Sequence, residues 1–240
     1  MDIRNPKTLR KTLAVVGILT VLFIYFGYFH VGSPRHYSAE AIEAWVVDAE
    51  TQEPLEGVIA VAMWILRGGT HNDEVGFLEV LEVVTDAKGR FYFDAWGPMP
   101  RPRWGVLNTQ DPEIFLFKDG YRFERLLNGY QGGTTTADRV RTSTWNGKTI
   151  PLERFEGEIK EYARSLSYLS QRIDLMAHKS LPHWSCEWEK IPRLMLAVEK
   201  VEMWRKLTNP RSLMGLITTQ DIVPAEICRS VDEIFKKYRS

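Results

Sequence analysis

Residues 46–62, VVDAETQEPLEGVIAVA, have the pattern of a strand, a turn and a second strand in direct succession. Residues 41–48 have the composition of a strand. The polar turn that follows carries Pro54 and Gly57, which interrupt regular structure. Residues 58–66 then form an apolar run, VIAVAMWIL. The pattern predicts two strands joined by a polar turn.

Short strand-like runs continue toward the C-terminus at similar spacing. Residues 77–85 lead into the sequence DAKG, which suits a tight hairpin turn, and residues 90–95 return from it. Residues 113–117 and 148–153 are further strand candidates. Short strands at this spacing predict an antiparallel β-sandwich.

Two of these strands need a cover on both faces. Residues 58–66 and 114–117 are apolar on both faces, whereas a free-standing sandwich exposes one face of each sheet to water and alternates in polarity. We assign the sandwich to residues 40–154. We therefore expect another part of the chain to cover one of its outer faces.

Ten residues at the turns and in the core carry a resemblance to a known family. The shared pattern is a strand that ends in Asp, a turn closing on Pro-Leu-x-Gly, then Thr-Asp-x-x-Gly-x-Phe and a late Gly-Tyr. This pattern, over residues 41–122, resembles the carboxypeptidase regulatory-like domain, a prealbumin-like sandwich. The resemblance implies a non-catalytic module, and the whole chain is similar to bacterial membrane-anchored proteins that carry one. The matching residues are Asp48, Pro54, Leu55, Gly57, Thr85, Asp86, Gly89, Phe91, Gly120 and Tyr121.

The first residues predict a membrane anchor. Residues 1–11 are basic, and residues 12–29 then carry no charge. This pattern predicts a cytoplasmic tail (1–11) and a transmembrane helix (12–31) that contacts the lipid bilayer, with the bulk of the chain periplasmic or otherwise extracytoplasmic. A cleaved signal peptide, cut at the small residues 31–33, is the alternative.

Residues 155–240 predict a helical domain that packs on the sandwich, so that the fold class is mainly β plus α. The first helix has an apolar stripe at steps of four and three, typical of packing inside the chain or, alternatively, of a dimer seam. Its positions are Phe155, Ile159, Tyr162, Leu166, Leu169, Ile173 and Met176. A second helix begins near Pro192 and carries Leu194, Val198, Val201 and Trp204 on one face, and a third begins near Pro224 and carries Ile227, Val231, Ile234 and Tyr238.

The polar and sulfur-containing residues predict little chemistry. Lys+Arg and Asp+Glu are equal at 31 each, which argues against a nucleic-acid partner held by bulk positive charge. Cys186 and Cys228 lie outside the cytoplasm in this topology. They form either a disulfide or two buried reduced thiols. His178, His183, Cys186 and Glu187 are close in sequence, but their spacing matches no standard zinc motif. We expect no metal, no cofactor and no catalytic activity.

Two loops carry the candidate binding residues. Trp104 stands with Arg101 and Arg103 in a Pro-rich loop, and Trp145 ends a long polar stretch. Exposed aromatic rings on loops bind sugars, but we favour the interpretation that these rings fix the two long loops in place. The sequence therefore favours a structural or protein-interaction module with an envelope protein as its partner. The alternative is an envelope carbohydrate-binding module that uses the loop tryptophans.

Overall fold

A computed structural model describes residues 15–21, 36–69, 71–108, 110–129, 140–177, 186–208, 215–222 and 228–239. Within these stretches the strands are β1 (His36–Ala39), β2 (Ile42–Asp48), β3 (Ile59–Gly68), β4 (Asp73–Val84), β5 (Arg90–Phe93), β6 (Trp96–Pro100), β7 (Val106–Leu107), β8 (Glu113–Phe117), β9 (Glu124–Leu126), β10 (Val140–Arg141) and β11 (Thr149–Leu152). The helices are α1 (Ile159–Ser165), α2 (Ser167–Ala177), α3 (Pro192–Thr208) and α4 (Val231–Lys236), and Glu187–Lys190 and Thr219–Asp221 form 3-10 turns.

One layer of the sandwich consists of two three-stranded sheets, of order β10-β1-β6 and β11-β2-β5. β1 and β2 follow each other and pair antiparallel with β6 and β5, respectively. β10 and β11 pair with β1 and β2 in parallel. The prediction of a β-sandwich is confirmed, but the prediction that it is antiparallel throughout is wrong. β10 and β11 follow each other in the chain, as β1 and β2 do, and each lies parallel beside its counterpart.

The second layer contains the strand that is apolar on both faces. Its order is β4-β3-β8-β9, with β7 also on β3. In β3, Ala60, Ala62, Trp64 and Leu66 face the core between the two layers. The alternate residues Val61, Met63 and Ile65 face a second apolar core formed with the helices. The helical layer thus covers the outer face of this sheet.

The motif residues quoted above fix turns rather than form a site. The Thr85 hydroxyl donates a hydrogen bond to the Leu55 carbonyl (2.6 Å) and accepts one from the Val58 N–H (2.9 Å). Asp48 accepts bonds from the Thr51 N–H and the Tyr121 hydroxyl, and these bonds lower the pKa of Asp48 to about 2. These residues of the resemblance thus hold turns and strand ends together.

The predicted first helix is two helices separated at Leu166, which ends α1 with φ −85° and ψ 5°. Its apolar stripe nevertheless stays on one side, because Tyr162, Leu166, Leu169 and Ile173 are buried in the core beneath the helices. The stripe is thus used for packing inside the chain.

The end of α3 departs from the prediction. Leu194, Val198 and Val201 are buried as expected, but Trp204 is 64 % exposed. In the last turns the inward positions belong to Glu202 and Arg205, whose side chains pair with each other and leave Trp204 on the solvent side. The prediction that Trp204 shares the apolar face of this helix is wrong.

The predicted third helix is short. α4 begins at Val231, with Ser230 as its N-cap, while Pro224 and Ile227 lie outside the described residues. Its buried residues are Ile234 and Phe235.

Only part of the predicted anchor is described. Residues 15–21 are helical, while 12–14 and 22–31 lie outside the described residues. In the portion of the chain that the structure covers, no helix combines the length and the apolar character needed to cross a membrane.

Candidate functional site

The candidate binding loop lies at the end of the sandwich where β1 begins. His36 of β1 pairs in register with Pro100 of β6, and residues 101–105 follow directly. The same loop lies against the end of β3, because a Cβ added to Gly68 would collide with the carbonyl oxygen of Trp104. We call this end, marked by His36, Gly68, Pro100 and Trp104, the His36 end.

Within this loop the predicted residues differ in exposure. Trp104 is 44 % exposed, Arg103 is exposed, and Arg101 is half-buried. Gly105 lets the loop backbone lie close to β3, because a Cβ at this position would be only 2.9 Å from the Cβ of Leu66. The loop backbone is therefore held on β3 while Trp104 and Arg103 face outward.

A buried polar cluster supports the loop. The Tyr37 hydroxyl accepts a hydrogen bond from the Leu107 N–H (3.3 Å), and Arg141 donates one to the Leu107 carbonyl (3.3 Å). The guanidinium of Arg141 also lies 5.3 Å from the centre of the Tyr37 ring. These contacts join β1, β7 and β10 beneath the loop.

Asp111 is the buried carboxyl of this region. It accepts hydrogen bonds from the N–H groups of Ile65 (3.3 Å) and Asn108 (2.7 Å). Burial raises the pKa of Asp111 to about 7, against these two bonds and the charge of Arg141. Both carboxyl oxygens thus bind backbone, which gives Asp111 a structural task in joining β3 to the loop before β8.

Trp145 is held differently from Trp104. Its indole Nε1 donates a hydrogen bond to the Leu127 carbonyl (3.0 Å), and its ring packs against the core of the sandwich. Trp145 therefore fixes its own turn, and its ring is partly covered. This arrangement does not favour a sugar-binding platform made by Trp104 and Trp145 together.

A network of charged residues, which sequence reasoning missed, joins the helices to the second sheet. Arg172 of α2 is buried and pairs with Glu74 of β4 and with Glu113 of β8. Glu113, which is 2 % exposed, also binds Arg125 and the Tyr168 hydroxyl. A glutamate at the head of the apolar run EIFLF signals a buried charge, but its partner Arg172 lies 59 positions away.

The carboxylates of this network are paired with arginines that stabilise their ionised form. Burial disfavours the ionised form of Glu74, but its hydrogen bonds and charge pairing with Arg172 outweigh burial and lower the pKa of Glu74. Arg67 also pairs with Glu74 (2.9 Å). The two carboxylates thus have nearby arginines on both the sheet and the helix. Such an arrangement fixes the position of α2 on the sheet.

The two cysteines are bonded to each other. Cys186 and Cys228 form a disulfide with Cα atoms 5.3 Å apart, which joins the turn Glu187–Lys190 to the segment before α4. Beside it, Trp188 stacks on Phe235 at 6.0 Å. Sulfurs bonded to each other supply no thiolate to a metal, although Glu189 lies close to both. His178 and His183 of the considered metal cluster lie outside the described residues.

Comparison with known proteins gives a weak likeness of fold. No family model matches the sequence, and no curated protein matches it, so the resemblance to the carboxypeptidase regulatory-like domain stays unconfirmed. Similar solved structures include the 3-chlorocatechol 1,2-dioxygenase of Rhodococcus opacus 1CP (15 % identity, 50 % of this chain and 61 % of that chain, TM-score 0.30). A group B streptococcus pilus 2b backbone protein is also similar (16 % identity, 48 % of this chain and 41 % of that chain, TM-score 0.25). The chain thus spans less than two thirds of either protein.

A third similar structure is the dioxygenase domain of a dioxygenase–carbohydrate-binding fusion from Streptomyces sp. SirexAA-E (16 % identity, 53 % of this chain and 84 % of that chain, TM-score 0.29). The expectation that the chain is not an enzyme is corrected here, because several of the similar structures are dioxygenases. At these TM-scores the likeness assigns no reaction, metal or residue to this chain.

Proposed function

We propose that the chain is a single-pass envelope protein whose sandwich and helical layer lie outside the cytoplasm and bind a partner protein. The observation that carries the anchor is the apolar helix at residues 15–21. Its large side chains are 52–66 % exposed, so they are not packed against the other residues that the structure describes. Exposing these apolar side chains to water costs free energy, and a bilayer gives them an apolar environment instead. The exposed apolar side chains of this helix are those of Val15, Val16, Ile18, Leu19 and Val21.

Two further observations support the orientation. Basic residues precede the apolar run, which favours a cytoplasmic N-terminus. The disulfide between Cys186 and Cys228 suits an oxidising compartment, because cytosolic thiols are kept reduced. Both observations support an extracytoplasmic location of the sandwich.

Two arginines in the proposed anchor test the membrane attachment. The change Leu19→Arg with Val21→Arg should release the chain from the membrane fraction after carbonate extraction, since each arginine costs about 2.5–3.5 kcal/mol at the centre of a spanning helix. The matched control adds two arginines to exposed domain positions, Asp94→Arg with Gln171→Arg. A reporter fused after Ser240 should be active only outside the cytoplasm. Activity only in the cytoplasm, or an unchanged membrane fraction, contradicts the proposal.

The partner surface in this proposal is the exposed end of α3. Met203, Trp204 and Leu207 are 58 %, 64 % and 79 % exposed and lie within two helical turns. Contiguous apolar side chains of this kind mark protein-interaction surfaces. Lys206 beside them gives the patch a basic border.

Crosslinking in intact cells tests this surface. A C-terminally tagged chain should co-purify with an envelope protein in fixed ratio, identified by mass spectrometry. The change Trp204→Ser with Leu207→Ser should lose most of that protein, because it removes the apolar contact. The control Glu161→Ser with Gln171→Ser alters exposed positions on α1 and α2 and should retain it. Equal recovery from both variants contradicts the assignment of the surface.

A further inference from the structure

The His36 end lies close to the membrane in the proposed topology. Residues 32–35 are all that separates the anchor, residues 12–31, from His36. Even fully extended, the five steps from residue 31 to residue 36 span at most about 18 Å. The head groups occupy several ångströms beyond the hydrocarbon core, so the His36 end is kept near them.

The loop that follows Pro100 is therefore the part of this end best placed to meet lipid. Pro100 is the register partner of His36, and the next four residues include Arg101, Arg103 and Trp104. Because Gly68 and Gly105 let the loop lie directly on β3, its backbone has a fixed position. The loop presents a partly exposed indole beside an exposed arginine.

These side chains have the chemistry of a membrane surface. Tryptophan favours the interface between head groups and hydrocarbon, where its ring is partly apolar and its N–H is wet. Arginine binds phosphate groups and carries a stem that tolerates an apolar surrounding. Asp73 lies at the same end, at the start of β4. We therefore assign the contact to the loop alone rather than to the whole end.

We propose that residues 101–104 contact the phospholipid head groups of the membrane in which residues 12–31 are anchored. Trp104 lies at the head-group level, and Arg101 and Arg103 bind lipid phosphates. This inference rests on the proposed anchor and replaces the interpretation of the loop as a sugar site. The lipid contact gives the sandwich a fixed orientation on the membrane. The helical layer then stays available to a partner protein.

The test measures the depth of the loop in the intact, anchored chain. The full chain carries a nitroxide at Pro102→Cys, which leaves Trp104 in place, and is reconstituted in nanodiscs of phosphatidylethanolamine and phosphatidylglycerol. The control label is Lys88→Cys, in the hairpin turn between β4 and β5 at the other end of the sandwich. Collision with oxygen relative to a water-soluble nickel chelate should be several-fold greater at position 102 than at position 88. Adding Trp104→Ser, Arg101→Gln and Arg103→Gln should reduce the ratio at 102 toward that at 88.

The outcomes separate this inference from the anchor. If the chain enters nanodiscs and the two labels give equal ratios, the loop stays in water and the inference is wrong, while the anchor stands. If the ratio at 102 is high but unchanged by the triple substitution, the named side chains do not make the contact and the inference is again wrong. If the chain does not enter nanodiscs, the anchor fails, and the lipid contact fails with it.

Discussion

Replacing Arg172 by methionine should lower the free energy of unfolding by about 3 kcal/mol or more, because the change leaves buried carboxylates with too few positive partners. Arg172 and Glu113 are both buried between α2 and the second sheet. Methionine fills much of the volume but cannot neutralise Glu113 or donate to Glu74 at 3.0 Å. Arg125 and Arg67 remain as partners on the sheet, which keeps the expected loss at the lower end of the range for a broken buried pair.

The measurement is equilibrium unfolding of the full chain in detergent, followed by near-ultraviolet circular dichroism. Arg164→Met is the matched control, because Arg164 is an exposed arginine on the neighbouring helix α1. A second variant that combines Arg172→Met with Glu113→Gln should recover part of the loss, since it removes a buried charge that has lost one of its two arginine partners. A loss no larger than that of Arg164→Met, or no recovery in the double variant, contradicts this account of the network.

Local sequence was sufficient to predict the sandwich and the need for its cover. The turn that follows β2 is held in part by neighbours in sequence, since the Thr51 N–H donates to Asp48. Thr85, by contrast, reaches the Leu55 carbonyl from a later strand end. The apolar run of β3 requires a core on each side, and both cores are present. These features depend on residue type and short spacing, which a sequence displays directly.

Features that depend on distant pairing were missed. β11 lies parallel beside β2, a strand far earlier in the chain, and no local pattern encodes that direction. Trp204 continues the spacing of its helix stripe, but Glu202 and Arg205 take the inward positions through an ion pair that also meets the Leu216 N–H. A periodicity argument counts apolar residues and does not foresee a buried charged pair.

The candidate loop shows the same division. Its composition identified Arg101, Arg103 and Trp104, but only the register between β1 and β6 places the loop beside His36. Trp145 was grouped with Trp104 because both lie in long loops, yet its bond to Leu127 separates the two in role. Residue type thus identified the candidate loop, and strand register located that loop in the fold.

Removing the disulfide should lower stability by about 4 kcal/mol in the chain-entropy account, because Cys186 and Cys228 close a loop with a sequence separation of 42. The variant Cys186→Ala with Cys228→Ala should also loosen α4. Its buried residues Ile234 and Phe235 are held on the layer beside Trp188 by a short helix and this bond. Hydrogen exchange at residues 231–236 should therefore rise more than exchange in β3.

Reduction supplies the control for this prediction. Under a reducing agent the unfolding midpoint of the unaltered chain should fall to that of the double alanine variant, while the variant itself should not change. A chain purified without reductant from the membrane of intact cells should show no thiol that reacts with maleimide after unfolding, as an extracytoplasmic disulfide requires. Equal midpoints with and without reductant would mean that the bond does not hold the C-terminal segment in place. Two reactive thiols in that chain would remove a support for the proposed compartment as well.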